Sequence, residues 1–314
     1  MSLAEANMNY FNNIGDAYDS KPWFAKVNQQ VTDYLRARLD WVGIPFVNTE
    51  SSSTKDVRLL DYACGPGLMS RIYGPYVTVT RGIDIAPKMV ATYNARAISA
   101  GLPPSKIRGI VGDIFARDSP LSEELSTPEF WDFDFATVGF GFHHFEDVVH
   151  ASRCLKERLR PGGVLLISDF LEGGDLKADE NGDPVPGTEG EHMDHVHHHG
   201  KHGDHDHGHH EGQNHGHDQS HHHHHHHHQH GQKYDMDNPD PTSHVRTEMS
   251  ASIVVPSFTI EGVKKFFTEA GLVDVEVITM EERVYMSFAG RQLWRTILFA
   301  KGRRPFEDDV KSEL

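Results

Sequence analysis

Two glycines, Gly65 and Gly67, stand in the run Leu59 to Arg71, LLDYACGPGLMSR, just after two apolar residues and the acidic Asp61. An apolar run, a small-residue turn and helix-compatible residues predict a strand, a tight loop and a helix start. A backbone without Cβ turns sharply and comes close to a ligand, and amides at a helix start face polar or anionic atoms. The loop is not a dinucleotide fingerprint, because Ser70 stands where G-x-G-x-x-G needs its third glycine. It also lacks the Gly-Lys-Ser/Thr ending of a phosphate loop. Asp84 follows Asp61 by 23 positions, near the carboxyl end of the run Val77–Ile85. An acid there can accept hydrogen bonds from both hydroxyls of a ribose, or simply face solvent as a strand-end carboxylate. A second chemical group is the imidazole pair His143-His144, which could take a proton from an acceptor near neutral pH. The plainer reading packs one of them under the next helix and leaves the other to orient backbone.

Alternating strands and helices must position these groups. The spacing of Val27, Val31, Tyr34, Leu35 and Leu39 predicts a helix from Pro22 to about Trp41. Asn48 to Asp56, rich in Ser and Thr, reads as an exposed loop. After the second strand, Pro87–Ala100 predicts a helix, with Ile85 and Met89 placed to line a flat ligand. Ile107–Val111 reads as a third strand ending in Gly112-Asp113-Ile114. Phe133–Phe145 holds a fourth strand and its loop, with Val138, Gly139 and Phe140 approaching the crevice. The helix Glu146–Leu159 carries an apolar stripe of Val148, Ala151, Cys154 and Leu155, and Pro161-Gly162-Gly163 stops it. Val164–Ser168 is almost continuously apolar, as buried parallel strands are, with Asp169 at its end. Thr259 is placed to cap a helix bearing Val263, Phe266 and Phe267, and Gly271 to end it. Val273–Ile278 and Leu293–Ala300 complete seven strands.

Leu59-Leu60-Asp61-Tyr62-Ala63-Cys64-Gly65-Pro66-Gly67 resembles motif I of the class I S-adenosylmethionine-dependent methyltransferases. Phe133 to Phe145, ending His143-His144-Phe145, is similar to that family's motif IV. Leu155 to Asp169 resembles its Leu-Lys-Pro-Gly-Gly-strand signature, with Arg160 before Pro161. The resemblance implies an α/β fold: a Rossmann-like, seven-stranded, mostly parallel sheet with helices on both faces, a reversed terminal hairpin and an N-terminal helical cap. It implies S-adenosylmethionine as cofactor and S-adenosylhomocysteine as product. The implied contacts are Asp61, Ala63, Cys64, Gly65, Gly67, Asp84, Ile85, Met89, Gly112, Asp113, Ile114, Val138 and Gly139. Asp113 would lie near the adenine amino group; its short side chain suits a cap on the next turn equally well. The stretch from Tyr10 to Asp19 resembles the opening of the ubiquinone and menaquinone biosynthesis branch, where an aromatic pair precedes a helix covering the cofactor. Tyr10 and Tyr18 thus become acceptor-side or lid candidates, with plain packing as the alternative. Asp169 and His244 are further candidates. The expected reaction is methyl transfer to an O, N, S or C nucleophile of a small-molecule acceptor. The alternatives are a protein methyltransferase or regulatory subunit, and a metal-buffering protein on an inactive scaffold.

The remainder of the chain is unlike a folded domain. From Gly173 to about Ser243 periodicity is lost, and of the 25 histidines only His143, His144, His150 and His244 lie outside His192 to His230. Such a tract cannot bury enough apolar surface to fold alone, so disorder is expected across most of it. Its imidazoles should capture divalent transition metals in vitro without forming a dedicated site, and it could serve as a lid or a protein-partner arm. The expected organisation is a helical cap over 1–55, a cofactor-binding core over 56–172, the insertion over 173–245, the rest of the core over 246–304 and an acidic tail over 305–314. A net charge of −16 argues against nucleic acid as a partner. No run is long enough to span a bilayer. Only Cys64 and Cys154 are present, so no disulfide framework exists, and the reducing cytoplasm, or also the nucleus, is the expected location.

Overall fold

The structure, a computed structural model, describes residues 2–15, 21–49, 56–117, 120–190, 251–288 and 291–306. Tyr18, His244 and the tract His192 to His230 lie outside the described residues, as does the expected acidic tail beyond Phe306.

Helix α1 (Leu3–Ile14) starts at a capping box, in which Glu5 N donates to Ser2 Oγ and Ser2 N to Glu5 Oε2. Helix α2 (Pro22–Arg36) has proline in its first turn and buries the predicted stripe Val27, Val31 and Leu35; the short α3 (Leu39–Val42) follows. The core then alternates: β1 (Arg58–Tyr62), α4 (Leu68–Tyr73), β2 (Val79–Asp84), α5 (Pro87–Ser99), β3 (Ile107–Val111), α6 (Glu123–Ser126), β4 (Phe133–Gly139), α7 (Val148–Arg158) and β5 (Leu159–Phe170). After β6 (Leu176–Lys177) come α8 (Ile260–Glu269), β7 (Val273–Thr279), β8 (Val284–Phe288), β9 (Arg291–Arg295) and β10 (Ile297–Arg303). Thr259 caps α8 through Gly262 N, and Gly271 leaves it at φ 81°, both as the sequence indicates.

Seven strands form one sheet in the order β3-β2-β1-β4-β5-β10-β7. β1 to β5 run parallel, and β10 is antiparallel to both its neighbours. Because successive strand residues point to opposite faces, apolar runs such as Leu59-Leu60 and Leu165-Leu166 feed two cores. Leu60, Ala136, Leu165 and Leu298 pack with Leu155 of α7 and Phe266 and Phe267 of α8. Leu59, Phe135, Leu166 and Phe299 pack on the other face with Val31 and Leu35 of α2 and Ile72 of α4. The strand order reverses direction between β1 and β4, which opens a crevice at their carboxyl ends.

Three expectations need correction. The single strand expected over Leu293–Ala300 breaks at Thr296 into β9 and β10, and β9 joins β8 and β6 in a separate three-stranded antiparallel sheet. The apolar pattern runs through Leu293, Trp294, Ile297 and Leu298 without a turn residue, so no local signal marks the change of sheet. Its cause is tertiary: Leu171 N donates to Thr296 O, Thr296 Oγ1 donates to Gly174 O, and Arg295 Nε meets Asp175 Oδ2 at 2.9 Å. For the same reason the segment 173–190, assigned to the insertion, is folded: β6 pairs with β9, and Trp294 Nε1 donates to Gly182 O at 2.9 Å. Finally, Pro161-Gly162-Gly163 does not separate helix from strand; it lies inside β5, where the pairing with β4 shifts between Phe133 and Phe135.

The Arg295 side chain is 14% exposed, with its guanidinium 3.6 Å from the Phe170 ring centroid and Nη2 donating to Pro256 O. Removing the carboxylate beside a largely buried cation strands that charge, so Asp175→Ala should cost about 3–5 kcal/mol in urea unfolding. A loss below about 1 kcal/mol would show that this ion pair does not hold the small sheet to β5.

Candidate active site

The glycine loop leaves β1 with three residues in the left-handed region, Ala63 at φ 51°, Gly65 at φ 48° and Gly67 at φ 92°. Gly67 is the N-cap of α4 and has no side chain to offer, so Asp61 does that work from the strand: Ser70 N donates to Asp61 Oδ2 at 3.0 Å and Ser70 Oγ at 2.6 Å. Asp61 is almost fully buried, and burial pushes its carboxyl up to about 7. Asp84, at the end of β2, receives Gly65 N on Oδ2 and Ala86 N on Oδ1, both at 2.8 Å. Burial raises it to about 6, against the opposing pull of those amides. A Cβ placed on Gly65 would meet no atom within 4 Å, so this face of the loop opens onto free space.

That space is a cavity of about 870 Å³ at the carboxyl ends of the strands, within the usual range for small-ligand sites. Of the residues singled out from sequence, Ala63, Gly65, Asp84, Ile85, Met89, Asp113, Gly139, Phe140 and His144 line it. Asp113 closes a turn and is also part of the cavity wall. Its Oδ1 accepts from Phe115 N at 2.7 Å and from Tyr62 Oη at 3.0 Å.

Other candidates support the wall from behind. Asp61, Cys64, Gly67, Gly112, Ile114 and Val138 are not among the lining residues; Cys64, Ile114 and Val138 are buried packing positions. Burial holds the Cys64 thiol well above its ordinary pKa, which leaves it a poor nucleophile. Tyr10 is buried with its ring 5.0 Å from that of Phe11, and does not line the cavity. Its helical neighbours Asn7 and Phe11, one turn apart, do. The sequence reading missed this face of α1, although the Ser2-x-x-Glu5 capping box could have set the helix phase. Phe115 and Phe145, also missed, meet Tyr62 tilted and edge-on at centroid distances of 4.5 and 6.1 Å and complete an aromatic wall.

The two histidines sit in the turn Phe142–His144 and have different surroundings. His143 Nδ1 lies 2.9 Å from Asp169 Oδ1; a carboxylate only accepts, so Nδ1 carries the proton. Asp169 is fully buried and, like His143, stands behind the cavity wall. His144 Nδ1 lies 2.7 Å from Ser252 O, which fixes its proton in the same way and leaves Nε2 as the basic nitrogen. Burial, with His143 beside it at a 4.0 Å ring separation, holds His144 well below its usual pKa and therefore neutral. Asn7 Nδ2 donates to His144 O, and Val254 N donates to His143 O at 2.9 Å, so α1 and the chain before α8 both clamp this turn.

Known proteins share this architecture. The profile of a protein family described as a methyltransferase domain matches residues 44–277. An uncharacterised methyltransferase of Schizosaccharomyces pombe is 32% identical over 117 residues, which are 37% of this chain and 40% of that protein. The demethylmenaquinone methyltransferase of Thermus thermophilus is 34% identical over 116 residues, 36% of this chain and 47% of that protein. The chain therefore spans less than half the length of these curated relatives. The crystal structure of the cyclase SpnF aligns over 98% of both chains with a TM-score of 0.51 at 14% identity, a likeness of fold alone. With the family profile running from before β1 into β7, across the glycine loop, Asp84 and the histidine turn, the chain belongs to the class I S-adenosylmethionine-dependent methyltransferase family.

Proposed function

We propose that this protein transfers the methyl group of S-adenosylmethionine to a nucleophile on a small-molecule acceptor. The observation that carries the reading is one cavity whose wall holds the glycine loop, Asp84, Asp113 and the neutral His144 together. The chain's own residues suit the donor. Gly65 offers open space where a side chain would stand, and Asp84 keeps lone pairs beyond those used by Gly65 N and Ala86 N, enough to accept from ribose hydroxyls. Ile85 and Met89 supply apolar wall beside them, and Asp113 a polar edge for an adenine amino group.

The bound donor supplies a methyl carbon on a positive sulfur, a good leaving group. The protein's part is alignment and exclusion of water. Phe11, Tyr62, Phe115 and Phe145 enclose the cavity with aromatic surface. His144 Nε2 takes the proton that an attacking hydroxyl or protonated amine must lose, while Ser252 O keeps the Nδ1 proton in place. His143 and Asp169 act from behind, fixing the turn that carries His144.

The test is calorimetric titration with S-adenosylmethionine and S-adenosylhomocysteine, with NAD as control. Saturable binding of the first two alone is expected; no binding of either overturns the proposal. Asp84→Ala should weaken S-adenosylhomocysteine binding about 10- to 100-fold, the scale of hydrogen bonds to a charged group, with the fold retained. Unchanged affinity would remove Asp84 from the ribose site. Since the ribose hydroxyls bond best to the ionised carboxylate, affinity should fall as pH drops through about 6, and a flat profile would contradict that role. His144→Ala should keep the product's affinity within about twofold yet slow transfer to any acceptor found by screening about 10²–10⁴-fold, the usual contribution of a general base. Equal turnover in that variant would leave His144 without a catalytic part.

A further inference from the structure

Tyr93 of α5 lies beneath the glycine loop, almost fully buried, in a slot built from three strand and loop positions that lack a side chain. A Cβ on Gly67 would come within 3.0 Å of the Tyr93 ring, one on Gly82 within 2.8 Å and one on Gly109 within 2.8 Å. These glycines belong to the cap of α4, to β2 and to β3, so the ring is gripped by three separate elements. Its hydroxyl lies 2.7 Å from Ser70 Oγ, which lies 2.6 Å from Asp61 Oδ2. Ser70 has a single hydroxyl proton, and that proton is directed to the carboxylate. With Asp61 ionised, Tyr93 therefore donates to Ser70, and the chain runs from Tyr93 through Ser70 to Asp61.

Asp61 in turn holds the amide of Ser70 in the first turn of α4, and so anchors the carboxyl side of the loop whose amino side carries Gly65 into the cavity. Ser70, the residue that breaks the dinucleotide fingerprint, thereby acquires a use: a third glycine could not relay this bond. We propose that Tyr93 is a positioning residue for the methyl donor, its ring setting the height of the glycine loop and its hydroxyl locking the loop through Ser70 and Asp61. This rests on the donor-binding reading above. Tyr93 is absent from the cavity wall and acts through the loop alone.

The experiment is a double-variant cycle read by calorimetric titration of S-adenosylhomocysteine, with thermal melting of each protein in the absence of ligand. Tyr93→Phe keeps the ring in its slot and removes the donor. It should melt within a few degrees of the wild type and bind about 5- to 10-fold more weakly. Ser70→Ala should lose at least as much affinity. The double variant should bind no more weakly than Ser70→Ala alone, because the Tyr93 hydroxyl acts only through Ser70. Unchanged affinity in Tyr93→Phe, or losses that multiply independently in the double variant, would overturn the relay. A lower melting temperature with unaltered affinity would make Tyr93 a packing residue only, and would overturn it as well. Absence of binding by the wild type would instead defeat the donor-binding reading and, with it, this one.

Discussion

A buried carboxylate receiving the amide and hydroxyl of Ser70 is the interaction on which the site depends. Helix α4 begins at a glycine and so cannot cap itself. Asp61, the penultimate residue of β1, reaches from the strand to supply the missing acceptor. The arrangement costs desolvation, visible in the raised pKa of Asp61 and aggravated by Asp84 nearby. In return the loop between strand and helix has one geometry, with left-handed residues at alternate positions, Ala63, Gly65 and Gly67. Asp84 closes the other side by accepting Gly65 N. The loop is thus held by two carboxylates from adjacent parallel strands, one beneath it and one in the cavity wall.

The histidine turn follows a similar logic with opposite electrostatics. Each imidazole has its Nδ1 proton directed to a fixed acceptor, a carboxylate for His143 and a carbonyl for His144. The carbonyl carries no full charge to favour an imidazolium, and burial disfavours it further, so His144 is neutral. Its acceptor, Ser252, is remote in sequence and belongs to the stretch that re-enters the fold before α8. The same stretch meets His143 O through Val254 N, and α1 meets His144 O through Asn7. Three segments far apart in the chain therefore determine one turn.

Membership of the fold does not itself establish transfer, since SpnF shares the architecture and is named a cyclase. What distinguishes one chemistry from another on this scaffold is the set of groups reaching the cavity from the strand ends and from α1. Here these include an aromatic wall and the imidazoles of His144 and His150 near the glycine loop. Among the described residues no cluster of His, Cys, Asp and Glu is arranged to hold a metal ion, and no helix is long and apolar enough to cross a membrane.

The sequence by itself determined the parallel core and several residues of the cavity wall. Strand runs such as Leu59-Leu60 and Val164–Ile167 are apolar on both faces because both faces are covered, and that continuity is a local signal. Gly65, Asp84 and Asp113 were legible because a left-handed loop and strand-end acids depend on residue type and short spacing. Tertiary structure alone decided the rest. Tyr10 reads as a site residue until the phase of α1 turns it inward and presents Asn7 and Phe11. The split of the last apolar run at Thr296 depends on contacts with Gly174 and Asp175, more than a hundred residues away. Which histidine meets the cavity depends on Asp169 and Ser252, partners that no spacing within the His143-His144 pair can reveal. Periodicity records which face of an element is buried; it does not record which distant backbone atom will receive a proton.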